Sequence, residues 1–208
     1  MSLDSLHPIG KTDIPAAVNA LNDAFQDDVL WHRVFEQEED QERCRKAFFE
    51  CPLRYGLKYG KAYASSPKME GVAVWLPGRF ADMSLWRMVR SGAILPGVRM
   101  GKRASHKLKI LSDTVGPDRD RHMKGAPYVY LMIIGVVRAH QGEGIGKRLL
   151  ETISSQCDAA ALPLYLETET EGNLPFYEKH GFETLDRVVL PEIDLPMWEM
   201  VRRPMSRE

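Results

Sequence analysis

Tyr128-Val129-Tyr130-Leu131-Met132-Ile133-Ile134-Gly135-Val136-Val137 leads, three residues later, into Gln141-Gly142-Glu143-Gly144-Ile145-Gly146. Ten apolar residues rich in β-branched and aromatic types predict a strand buried on both faces. The glycine-rich turn opens a helix reaching about residue 161, with Leu149, Leu150, Ile153 and Cys157 along one side. Strand, glycine turn and helix together make an anion site. First-turn N–H groups lack intrahelical partners, the helix start carries partial positive charge, and glycines admit a bulky group to the main chain. Two nucleotide readings fail on spacing. Gly146-Lys147-Arg148 lacks the hydroxyl residue of a phosphate loop, and Gly142, Gly144 and Gly146 depart from GxGxxG. A plain tight turn between strand and helix remains the alternative for these glycines.

Working outward, 162–168 reads as another strand, and Asn173 as the cap of a short helix closed by Gly181. Strands are expected over 183–190 and 197–202. Upstream, a helix over 13–25 carries Asp13 as N-cap and Pro15 in its first turn. An acidic stretch follows, with Asp27, Asp28, Glu36, Glu38, Glu39 and Asp40. A second helix bears Cys44, Ala47, Phe48 and Cys51, with Pro52 predicted to end or kink it. Two strands, 61–65 and 71–76, are joined by a turn at Ser66-Pro67. Residues 79–125 interrupt this alternation with two short helices, near 85–93 and 102–111. The order predicts one mixed α/β domain over 1–208, with 79–125 as a helical insertion.

Charge is divided unevenly along the 208 residues. The insertion holds 11 Lys/Arg against 4 Asp/Glu, or +7, leaving 17 against 25, or −8, elsewhere. A chain that coats nucleic acid would be basic throughout, so no nucleic-acid partner is expected. A ten-residue apolar run is too short to cross a bilayer, so no membrane partner is expected either. The first residues, Met1-Ser2-Leu3-Asp4, lack the basic flank and apolar core of a secretory leader. Cys44, Cys51 and Cys157 are odd in number and without metal-ligand or CxxC spacing. They read as reduced packing residues, and the chain as cytoplasmic with no metal site. Oligomeric state is silent in the sequence.

Gln141-x-x-Gly144-x-Gly146, after the Ile134-Gly135-Val136 strand end, resembles the signature of the GNAT superfamily of acyl-CoA N-acyltransferases. Asn173-Leu174-Pro175-Phe176-Tyr177-Glu178-Lys179-His180-Gly181-Phe182 is similar to the same family's later Asn-x-x-x-Tyr-x-x-x-Gly-Phe segment. The resemblance implies a mixed, mostly antiparallel sheet flanked by helices, with splayed parallel central strands, the fourth and fifth. The helical insertion then falls between the third and fourth strands. It implies acetyl-CoA as co-substrate, cradled at its phosphates by Gln141, Gly142, Gly144, Ile145, Gly146 and Lys147. Its pantetheine arm would follow Ile134, Gly135 and Val136, with Asn173 near it. The implied activity is N-acetyl transfer to a primary amine of a small molecule or peptide. A protein N-terminal or lysine acetyltransferase, or a non-catalytic acyl-CoA-binding sensor or interaction module, stands as the alternative.

Acyl transfer to an amine sets three demands. An alkyl ammonium with a pKa of about 10.4 must shed a proton, an oxyanion needs a donor, and a thiolate of about 8.5 leaves better when protonated. Tyr177 sits where the family places its acid. Its other reading is a ring packed beside Phe176 and Phe182. Glu167 and Glu169, of one parity at a strand end, are the candidate bases, with an exposed strand-end charge as the alternative. His140, His32 and Trp31 are weaker candidates. The acidic stretch, with Glu192 and Asp194, would attract a cationic amine. Arg87, Arg90, Arg99, Lys102, Arg103 and Lys107 would meet CoA phosphates or an acidic partner. For both charge groups a solvated face is the other reading.

Overall fold

A computed structural model of the chain describes residues 3–205; Met1 and Ser2, which begin the segment read for a leader, lie outside them. Among the described residues seven strands form one sheet. They are β1 (His7–Pro8), β2 (Lys61–Ala64), β3 (Gly71–Pro77), β4 (Val129–Val136), β5 (Leu164–Thr168), β6 (Phe182–Leu190) and β7 (Leu195–Arg202). Their order is β1-β2-β3-β4-β5-β7-β6, and only β4 and β5 are parallel. This is the mixed, mostly antiparallel sheet expected.

Parallel pairing stops almost where it starts. Val129 pairs with Leu164 and Tyr130 with Tyr165, and no further rung forms. The cause lies one strand away. Opposite β3, the register jumps from Val74↔Ile133 to Trp75↔Leu131, leaving Met132 as an extra residue. Such a bulge bends its strand, here turning the second half of β4 away from β5. The run expected to be buried on both faces is therefore only half-buried, because its outer half borders an opening rather than a neighbouring strand.

Helices cover both faces. On one side α1 (Ile14–Ala24) and α3 (Gln41–Tyr59) pack on β2–β4 through Leu21, Phe49, Leu53, Val72, Val74 and Ile133. On the other, α7 (Ile145–Ala159) and α8 (Leu174–Lys179) pack through Leu149, Leu150, Ile153 and Tyr177 on Leu164, Leu166 and Met200. Pro52 neither ends nor breaks α3. Phe49, Leu53 and Tyr55 are fully buried around it, and that packing outweighs one lost backbone bond.

The acidic stretch contains a helix that the sequence reading left out, α2 (Val29–Phe35). Asp28 caps it, accepting from Leu30 N at 3.0 Å and Trp31 N at 3.2 Å. The insertion also folds further than expected, as α4 (Leu85–Ser91), α5 (Ile94–Arg99) and a 22-residue α6 (Lys102–Met123). The last continues through Gly116 and Pro117 because Val115, Arg119 and Met123 are buried against the sheet and its neighbours.

Gly135 shows how closely α1 seats on β4. A Cβ there would lie 2.9 Å from Phe25 Cε2 and 3.1 Å from both Ala24 Cβ and Leu21 Cδ2. Gly135→Ala is expected to lower stability by about 1–3 kcal/mol, read as the urea midpoint. An unchanged midpoint would show that α1 lifts off the strand at no cost.

Candidate active site

Where β4 and β5 part, a cavity of about 1130 Å³ opens between them and runs beneath the insertion. Tyr130 to Ile134 and Leu166 to Glu169 form its inner wall, joined by Asn173 and Tyr177. The backbone edge of β4 there is polar and unpaired by any strand. Gly71 directs its own N–H and C=O to Ser65, so its pairing with Val136 is of the non-hydrogen-bonded kind. Val136, and Ile134 two residues earlier, thus turn their backbone groups toward the opening. Gln141 Nε2 donates to the Val136 carbonyl at 3.1 Å, tying the glycine turn to the strand end. Gly135 has the opposite parity, and its missing side chain is accounted for by α1.

The glycine turn stands at the outer end of this edge. Gly142 and Gly144 hold φ of +84° and +80°, the left-handed region that side chains resist, with open space where a Cβ would be. Ile145, half-buried, packs against the core. The first N–H of α7 to find a backbone carbonyl is that of Arg148, bonded to Gly144 at 3.0 Å. The earlier N–H groups, those of Ile145, Gly146 and Lys147, point out of the helix end. His140 Nδ1 sits 3.1 Å from Glu143 on the turn's rim. An unpaired strand edge leading to exposed first-turn amides fits an extended acyl carrier ending in phosphates.

Tyr177 and Glu169 enter the opening from opposite faces. Tyr177 is buried, its ring edge-on to Phe176 and Phe182 at 5.3 and 5.5 Å. It packs beside both rings, as its second reading expects, and it also lines the cavity. Burial, and then the nearby Glu169, push its phenol up. Glu169 faces Asp28, the cap of α2; burial and that second carboxylate hold its carboxyl well above the usual range. Asn173 makes no cap bond, contrary to expectation. It lies in a helical turn and donates to Thr168 Oγ1 at 3.4 Å.

Glu167 has a different setting. It lies on the face covered by α6, beside Glu199 of β7, which in turn pairs with Asp186 of β6. This row of carboxylates crosses three strands. Arg119 Nη1 stands 3.6 Å from Glu167, and its guanidinium lies 4.5 Å over the Tyr130 ring, with Arg119 and Glu167 side chains only 5% and 7% exposed. One turn further on, His122 Nε2 lies 2.9 Å from Glu199, and Arg121 is 2.8 Å from Asp186. Burial pushes Glu167 up against the pull of Arg119, and pushes the fully buried Glu199 up to about 7. Sequence reading named no metal site; His122, Asp186 and Glu199 do bring three metal-capable atoms within 4.8 Å, in a row already engaged with Arg121.

Arg119, Tyr130, His122 and Glu199 carried no local motif, and pairing across three strands is what unites them. The opposed charge blocks likewise meet inside the molecule. Lys107 pairs with Glu36 at 3.0 Å, Arg103 reaches the Gln37 carbonyl, and Glu38 accepts from Ala104 N at the start of α6. Glu36 and Glu38 thus hold the insertion in place and are not free to attract an amine. The thiols of Cys51 and Cys157 are pushed up to about 12 by burial, which leaves no reactive cysteine at the opening.

Residues 114–184 match the acetyltransferase (GNAT) domain, the segment holding the parted strands, the turn and Tyr177. Over that segment the chain carries a GNAT domain. An uncharacterised N-acetyltransferase of Schizosaccharomyces pombe is 32% identical over 147 residues, 64% of this chain, and the match spans 56% of that relative's length. Among solved structures, a putative arylalkylamine N-acetyltransferase from the mosquito Aedes aegypti superimposes with a TM-score of 0.68 at 13% identity, over 95% of this chain and 86% of the other. A protein of Corynebacterium glutamicum described as histone acetyltransferase HPA2 and related acetyltransferase gives 0.62 at 20% identity, over 98% and 97%. At such identities the structural likeness speaks for the GNAT fold.

Two consequences follow for this GNAT domain. Arg119→Met leaves Glu167 buried without its cation and should cost about 3–5 kcal/mol by urea denaturation, most of it recovered in Arg119→Met/Glu167→Gln. Full stability of the single variant would show the pair to be idle. Glu199 binds its proton more tightly folded than unfolded, so its contribution is complete below about pH 4.5 and is lost as pH rises through about 7. Glu199→Gln should flatten that limb and gain on the order of 1–3 kcal/mol relative to the parent at pH 8. An identical stability profile from pH 4 to 8 would refute this.

Proposed function

We propose that this chain transfers an acetyl group from acetyl-CoA to the primary amine of a small molecule by direct attack. The observation that carries the reading is the facing of Tyr177 and Glu169 across the opening between β4 and β5. Acetyl-CoA supplies the activated thioester. Ile134 and Val136 offer backbone groups to its pantetheine arm, and the amides of residues 142–147, with Gln141 bracing the strand end, receive its phosphates. The residues fit that substrate because the edge of β4 is unpaired and the turn is open.

The paired Asp28 and Glu169 carboxyls are the amine's seat. An arriving ammonium replaces the proton held between them, and the apolar surroundings then favour its neutral form. Glu169 takes the N–H proton directly or through one water. The nitrogen's lone pair forms the bond to the acetyl carbon as the carbon–sulfur bond breaks. Tyr177 donates a hydrogen bond to the departing sulfur. With its pKa raised above that of a thiol, it steadies the thiolate more than it surrenders a full proton. Glu167, engaged by Arg119, positions Tyr130 and the wall of the opening. A small amine is favoured over a protein lysine or N-terminus because the insertion roofs the cavity, which leaves no open trough for an extended chain.

Two variants test this together. Glu169→Gln should cut kcat/KM at least a hundredfold, and the parent's activity should rise with pH along a limb above the ordinary carboxylate range that the variant lacks. Tyr177→Phe should lower kcat about tenfold or more with acetyl-CoA affinity unchanged by calorimetry. Acetyl-CoA binding with no CoA release over an amine panel would make the chain a sensor instead.

A further inference from the structure

We infer that the acceptor is a hydrophobic monoamine, seated by its ammonium at Asp28 and Glu169 and enclosed along its apolar body by the vault beneath α4–α6. This rests on the amine-acetylating reading above and narrows it to a substrate class.

Three features of the cavity carry it. The first is size and lining. Pockets for drug-sized ligands occupy about 300–1,000 Å³, and this one exceeds that range at about 1130 Å³. It has room for the reactive end of the thioester and for a sizeable acceptor as well. Trp31 and Phe48, 4.4 Å apart, form one wall, and Met83, Met88, Leu108 and Leu111 of the insertion form the facing one. Five of the chain's ten methionines line the space. Unbranched thioether side chains adapt to irregular apolar shapes, so the walls suit an extended hydrocarbon of variable outline.

The second feature is where the charges fall. Glu167 is engaged by Arg119 and Glu169 faces Asp28, both at the inner end. The remaining charged groups of the lining are Lys102 and Lys109, both on α6, and Lys109 is paired with Asp113 one turn on. A diamine or polyamine would bring its second cation toward Lys102, with no carboxylate of the lining left to meet it. A single amine at one end of a neutral body meets no such repulsion.

The third is the entrance. Leu85 and Val98 line the cavity yet are 68% and 73% exposed, so the mouth lies at α4 and α5 and its rim is apolar. Water-exposed apolar side chains at a cavity mouth favour entry of an apolar body. The insertion's role follows from this. Arg103, Lys107, Arg119 and Arg121 fasten it to the rest of the molecule, and its apolar residues select the acceptor.

The test is an acceptor series at saturating acetyl-CoA, read by CoA release. The acceptors are butylamine, hexylamine, octylamine and decylamine, with 1,8-diaminooctane beside octylamine. Each buried methylene contributes about fourfold in kcat/KM, so octylamine should exceed butylamine by at least tenfold and the diamine by a similar factor. Leu108→Gln and Met88→Gln should each lower the octylamine value about tenfold and leave butylamine within twofold. Equal turnover of butylamine and octylamine, or preference for the diamine, would overturn the inference while leaving amine acetylation intact. So would faster transfer from octanoyl-CoA than from acetyl-CoA to butylamine, which would assign the vault to the acyl chain. Calorimetry of octylamine binding separates the two levels. Binding without acetylation would sink the catalytic reading alone, and neither binding nor acetylation would sink both.

Discussion

The guanidinium of Arg119, lying over Tyr130 and beside Glu167, joins the part of this fold shared with other GNAT proteins to the part that is its own. Tyr130 is the last residue of β4 to pair with β5, and Glu167 lies two residues past its partner Tyr165. The cation therefore sits at the point where the strands separate. It neutralises the one carboxylate that the opening would otherwise bury alone, and it draws α6 down onto the sheet. Without α6 in that position the cavity would be an open cleft.

This contact also sorts the carboxylates at the site. Glu167, Glu199 and Asp186 form a row across β5, β7 and β6, and α6 answers it with Arg119, His122 and Arg121. Glu169 lies beyond the strand end, out of that row, and meets Asp28 instead. One carboxylate is thereby held by a cation and another is left able to exchange a proton. Two residues of identical chemistry and parity acquire different surroundings because a helix covers one of them and stops short of the other.

Legibility followed the range of the interactions. The strand, the glycine turn and the Asn173–Phe182 segment are local patterns, and the elements they predict formed within a few residues of where they were placed. Misreadings arose where distant packing overrode a local rule. Pro52 lies inside α3 because buried side chains on both flanks hold the helix together, and α6 passes through Gly116 and Pro117 for the same reason. The short α2 was missed although its signal was present, in Asp28 as a cap followed by Leu30, Val34 and Phe35. The charge asymmetry is visible in the sequence as a quantity. That Lys107 and Glu36 would spend it on each other required knowing that α2 and α6 are neighbours.

By itself the sequence determined the family motifs, the glycine turn and the presence of Tyr177, Glu167 and Glu169 at one end of the sheet. All of these are set by residue type and spacing along a few turns of chain. The tertiary structure alone decided which carboxylate a cation holds, which face each candidate approaches from, and where the basic insertion is fastened. Those outcomes depend on burial and on charges brought together from positions as distant as Asp28 and Glu169, Arg119 and Glu167, or His122 and Glu199. Electrostatic energy depends on separation in space and on exclusion of water, and neither is written in the order of the residues.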